Sequence, residues 1–147
     1  MKYLFRGALV IGLLLTNAVF AEKIDLPPGV QLIKLSDIKW EMSPSGRSFA
    51  NVLGSPQTAG PYLNLVNWAP HLKALPHKHP DDRYGVVLSG VHYIGYGDNF
   101  DESKLHVHTA GTFFTEPANK SHFGMTKDEG AVLYFYGTGP SGSLPIK

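Results

Sequence analysis

The chain has 147 residues, a length for one domain, and contains seven histidines but no cysteine. Without thiols it has no disulfide framework, no thiolate nucleophile and no thiolate metal ligand. Its formal charge is only +1, and so small a net charge argues against nucleic acid or an anionic membrane as the main partner.

Residues 1–21, MKYLFRGALVIGLLLTNAVFA, place Lys2 and Arg6 ahead of an apolar run over 8–15 and end on Val19-Phe20-Ala21. That order is the one a signal peptidase reads. The run is shorter than the roughly 20 residues of a membrane span. The pattern predicts a cleaved signal peptide, export to the periplasm or the medium, and no stable membrane span afterwards. Loss of Lys2 and Arg6 leaves 11 basic against 12 acidic residues, a balance of −1. Residues 22–147 are then long enough for one core, burying roughly two thirds of the unfolded surface.

A Pro-Pro-Gly turn opens this part, and a short Leu/Ile-rich segment follows in which Ser36 caps a helical turn starting at Asp37. Residues 43–61 alternate brief apolar pieces with Gly and Pro and read as loops with one early strand. Strands are expected over 62–68, 84–88 and 91–96, with Ser89-Gly90 separating the last two. Others are expected over 105–108, 112–115 and 131–136, each bounded by Gly, Pro, Asn or Asp. Many short strands with 16 Gly and 11 Pro, and no long helical period, predict an all-β sandwich or barrel. Tyr84, Tyr93, Phe113, Phe114 and Phe123 are assigned to its core.

All seven histidines (71, 77, 79, 92, 106, 108 and 122) fall between residues 71 and 122. His77 and His79 are the sharpest pair. In an extended chain they point to one face with α-carbons roughly 6.7 Å apart, a spacing from which two imidazoles converge on one ion. His106 and His108 likewise share a strand face, directed either into a cavity or to solvent. His71 sits in a Pro-bounded loop and is expected at the surface, and His92 is a strand residue with no assigned partner.

The stretch PHKHPDDRYGVVLSG resembles the first motif of the cupin superfamily, His-x-His followed by a glutamate and then a glycine, with His77, His79, Arg83 and Gly90 at those positions. GTFFTEPANKSH resembles the second motif through Gly111, Pro117 and His122, with Asn119 where the family has its middle glycine. Asn tolerates the left-handed conformation that such a turn needs. The resemblance implies a cupin-type double-stranded β-helix, or jelly-roll barrel, over 22–147 with a short N-terminal extension. It also implies a cavity holding a divalent transition metal on His77, His79 and His122. Iron, zinc, manganese and nickel are not distinguished by such ligands.

The departure is Arg83, which stands where the family has its glutamate. A guanidinium about 5 Å from a divalent ion is repelled by roughly 6–7 kcal/mol at an effective dielectric of 20. A metal on the three histidines therefore requires Arg83 to point away or to be neutralised. Asp81 and Asp82 are the sequence neighbours able to pair with it or to replace the lost carboxylate. Arg83 and His108 are also candidates for contacting a small polar or anionic ligand. Two functions follow: a metal-dependent enzyme of dioxygenase or lyase/isomerase type, or a metal-free module that binds a small ligand. Dimerisation through the early strands is a further expectation from the resemblance. GTGPSG (137–142) matches Gly-x-Gly-x-x-Gly, but Pro140 and the absence of a following helix exclude a dinucleotide site. Asn119-Lys120-Ser121 matches a glycosylation sequon by accident of the motif.

Overall fold

The computed structural model describes residues 25–146; the expected signal peptide at 1–21 lies outside them. Residues 25–32 hold a turn closed by the Val30 N–H on the Pro27 carbonyl at 3.1 Å. Ile33–Lys147 is a separate unit, built of strands apart from two single 3-10 turns at Leu35–Asp37 and Glu102–Lys104. The first of these turns has Lys34 at its N-cap with no side-chain bond. Ser36 lies inside it and bonds Asp37 instead of capping, so the expected cap is corrected. Among the described residues no helix is long and apolar enough to cross a membrane.

Among the described residues ten strands follow in chain order: β1 (Glu41–Met42), β2 (Arg47–Leu53), β3 (Gly60–Trp68), β4 (Lys73–Lys78) and β5 (Arg83–Tyr96), then β6 (His106–Thr109), β7 (Phe113–Glu116), β8 (His122–Met125), β9 (Ala131–Gly139) and β10 (Leu144–Pro145). They join in the order β1-β2-β3-β9-β5-β8-β4-β10, with β6 and β7 also paired to β5, and every pairing is antiparallel. The architecture is the double-stranded β-helix that the motifs imply.

β5 corrects one expectation. The sequence predicts two strands broken at Ser89-Gly90, but a single strand of 14 residues runs through them. Its first half pairs β7 and β9 and its second half pairs β6 and β8, so it belongs to both sheets. Between Val87 and Ser89 the register against β9 slips, and Gly90 has φ +74° with the Gly130 carbonyl where a β-carbon would be. The glycine marks a bulge that re-aims the strand, not its end.

Alternation along the strands builds the core. On β9 Ala131, Leu133 and Phe135 face in, and Val132, Tyr134 and Tyr136 alternate with them. On β7 Phe114 and Glu116 are buried while Phe113 and Thr115 are exposed. Phe114, Ala131, Leu133 and Phe135 pack with Val66, Trp68, Ala74, Val87 and Ile94. Tyr84 and Phe113, assigned to the core from sequence, are exposed, because strand parity puts them on the outer face. Phe114 and Phe123 are buried as expected.

Candidate metal centre

Strand pairing brings the motif histidines together. His77 in β4 lies directly opposite His122 at the start of β8, and His79 follows the last residue of β4. The Asn119 N–H donates to the His79 carbonyl at 2.7 Å, tying the turn before β8 to the first motif. Asn119 has φ 59°, the left-handed conformation for which the family uses glycine. Ring centroids are 5.0 Å apart for His77 and His79, 4.5 Å for His77 and His122, and 5.2 Å for His79 and His122. One nitrogen from each ring lies within 4.8 Å of the other two.

The tautomers follow from backbone contacts. Nδ1 of His77 meets the Leu75 carbonyl at 2.8 Å, Nδ1 of His79 the Gly142 carbonyl at 2.8 Å, and Nδ1 of His122 the Lys120 carbonyl at 3.1 Å. A carbonyl only accepts, so each Nδ1 carries the proton and each Nε2 keeps a lone pair. The Nε2 atoms of His79 and His122 are buried with no partner. Metal-binding histidines carry the same outer bond to a carbonyl, which orients the ring and raises its basicity. Burial pulls His77 down to about 4, against a smaller upward push from the Leu75 carbonyl. Burial, then the Arg83 charge, pulls His79 down to about 3. Both are therefore neutral near pH 7, the state that ligates. These residues fit a divalent transition metal.

The sequence reading missed Glu116. The alternation that turns Phe114 inward also turns in the residue two positions on, and strand pairing sets Glu116 opposite Arg83. Both Nε and Nη2 of Arg83 donate to Glu116 Oε2, the former at 2.8 Å, and the guanidinium also lies 4.5 Å over the Phe135 ring. The same carboxylate oxygen is 3.5 Å from His122 Nε2 and 3.9 Å from His79 Nε2. Burial pushes the Glu116 carboxyl up, but the Arg83 guanidinium, through its charge and its hydrogen bonds, outweighs burial and holds it below the usual range. The partner expected for Arg83 is thus corrected. Asp81 instead accepts from the Tyr62 hydroxyl at 2.9 Å and from the Ser141 hydroxyl. Asp82 accepts from the Ala118 N–H at 2.7 Å.

Residues 28–142 match the family described as ChrR cupin-like domain. The chain belongs to that family. Comparison with curated proteins gave no match. Among solved structures, this cupin is similar to the polyketide cyclase RemF from Streptomyces resistomycificus, with TM-score 0.65 and 14% identity over 80% of this chain and 87% of that one. It is also similar to a cupin-superfamily sugar phosphate isomerase from Silicibacter pomeroyi, with TM-score 0.58 and 19% identity over 79% and 83% of the two chains. A structure from work on the DMSP lyases RdDddP and RnDddQII gives TM-score 0.57 and 17% identity over 70% of this chain. This cupin spans only 57% of that chain's length. Such identities establish the fold.

The histidines and Glu116 open onto a cavity of about 220 Å³, also lined by Arg47, Asn64, Trp68 and His92. Asn64 Oδ1, Trp68 Nε1 and both ring nitrogens of His92 are buried there without a partner. The Arg47 guanidinium stands 4.8 Å over Trp68 and donates from Nε to Ser45 Oγ at 3.1 Å; no carboxylate forms a salt bridge with it among the described residues. Arg83 also lines the cavity, but with its charge already paired. His108 lies off the lining, opposite His92 across β5 and β6, with its ring 5.1 Å from Phe114. His71 and His106 are exposed.

Proposed function

We propose that this cupin is exported, holds one divalent transition metal on His77, His79 and His122, and acts on a small anion in the adjoining cavity. The observation that carries the reading is the convergence of three Nε2 lone pairs, each fixed by a carbonyl at Nδ1. A bound ion there supplies Lewis acidity toward a coordinated substrate oxygen. Arg47, stacked on Trp68 and free of a carboxylate, anchors the anion. The Trp68 N–H and Asn64 Oδ1 offer one donor and one acceptor to orient it. Ile94, Leu133 and Phe135 line the cavity with apolar surface and limit the water inside. At about 220 Å³ the space is smaller than the roughly 300–1,000 Å³ of drug-sized pockets, so the ligand is a small carboxylate or phosphate.

Lyase, isomerase and dioxygenase reactions are the ones to assay; solved proteins of similar fold include a lyase and an isomerase. The early-strand dimer belongs to the same reading, since β1 is an open edge of the sheet and exposes Met42. The test is metal content in residues 22–147 purified without chelators, alongside His77→Ala and His122→Ala. About one equivalent in the parent and little in the variants is expected. Less than about a tenth of an equivalent in the parent, even after soaking in zinc, iron, manganese and nickel, overturns the metal reading and leaves the metal-free binding module.

A further inference from the structure

We infer that Glu116 is the acidic ligand of this centre, delivered from the facing strand in place of the glutamate that the first cupin motif carries at position 83, and that Arg83 positions it. The inference rests on the three-histidine reading above and adds a fourth group to it. Four observations bear on it.

Glu116 is buried to 4% exposure at a strand position that parity directs inward, and a buried carboxylate persists as an anion only where charge compensates it. Its Oε2 lies 3.5 and 3.9 Å from the Nε2 atoms of His122 and His79. Those separations are too long for hydrogen bonds. They approach the roughly 3.3 Å that separates neighbouring ligand atoms in a tetrahedral shell with bonds of about 2.0–2.1 Å, with Glu116 standing just outside the group in which the three histidine nitrogens lie within 4.8 Å of one another. The Nε2 atoms it faces are buried and unpartnered, and a lone pair beside a carboxylate is repelled unless a proton or a metal ion stands between them. Finally, Arg83 and Glu116 are a register pair on β5 and β7. Relative to the family motif the carboxylate is thus displaced by one inter-strand step, and the motif's own position holds the group that orients it. The repulsion that makes Arg83 hostile to a metal is cancelled by the carboxylate interposed between them.

The test uses Co(II) and Zn(II) alone, with dissociation constants from chelator competition in the chain from residue 22, and circular dichroism as the control for folding. Glu116→Gln is expected to bind each metal at least 100-fold more weakly than the parent. Glu116→Gln leaves a guanidinium without its partner and can misfold for that reason alone. The second variant therefore exchanges the two residues, Arg83→Glu with Glu116→Arg, which keeps the pair and returns the carboxylate to the position of the family motif. It is expected to bind within about tenfold of the parent. A purely structural pair predicts no such dependence on the carboxylate, because the metal would then rest on the histidines alone. A folded Glu116→Gln that binds like the parent overturns the inference while leaving the three-histidine centre standing. So does an exchange variant that folds but has lost the metal. A parent that binds neither metal overturns both.

Discussion

His92 makes the chelator-treated protein acid-sensitive in a way that can be isolated. Its ring is 3% exposed, and neither nitrogen has a partner. Burial pulls it down to about 4, with His108, His122 and Arg47 adding to the fall and Glu116 opposing it. The unfolded chain titrates near the ordinary value of 6.5, so between these values the unfolded state binds more protons than the native one. Stability therefore rises with pH across the window. The contribution of a neutral His92 is complete above about pH 6.5 and is lost as pH falls toward 4. At about 1.4 kcal/mol per pH unit, this one ring costs roughly 2 kcal/mol between pH 7.5 and pH 5. His92→Leu keeps the size and removes the titration. Urea unfolding followed by tryptophan fluorescence, at pH 7.5, 6.5, 5.5 and 5, should show the parent losing roughly 2 kcal/mol more than the variant over the series. Equal losses, within about 0.3 kcal/mol, would refute the assignment of a buried, neutral, unpartnered His92.

Gly85→Ala should destabilise the fold by about 1–3 kcal/mol in the same assay. A β-carbon there would lie 2.7 Å from Phe114 Cε1 and Cε2, and nearer still to Cζ; Phe114→Leu in the same chain should recover part of the loss. Asp81→Ala removes the acceptor of the buried Tyr62 hydroxyl and of Ser141, a loss of about 1–3 kcal/mol. Because Ser141 adjoins the Gly142 carbonyl that holds His79 Nδ1, Asp81→Ala should also weaken Zn(II) binding, by up to about tenfold. Unchanged zinc affinity would separate the C-terminal segment from the metal centre.

Much of the architecture was legible because the two motifs constrain each other: His77, His79 and His122 at their spacings, and Asn119 at a turn position that needs a left-handed residue. Strand parity was also readable in principle. Phe113 and Phe114 are adjacent, so only one can face the core, and a reading by residue type alone assigned both. Glu116 escaped for a different reason. Its signal was its place two residues after Phe114 on the same face, yet its meaning depends on Arg83, 33 positions away, and strand register is not written in local sequence. The carbonyls of Leu75, Lys120 and Gly142 were illegible altogether, since backbone acceptors are common to every residue. β5 was split in two because glycine after serine signals a turn as readily as a bulge.

The Arg83–Glu116 pair has an evolutionary consequence. A buried pair that loses one member pays about 3–5 kcal/mol for the charge left behind. Reverting Arg83 alone to the family's glutamate would set two carboxylates against each other, and changing Glu116 alone would strand a guanidinium. The two codons are thus epistatic: neither substitution is tolerated well without the other, and the arrangement of the family motif is reached only by a coupled change. Relatives of this chain should divide into those with a glutamate at position 83 and no acid at 116, and those with arginine and glutamate together, with few in between.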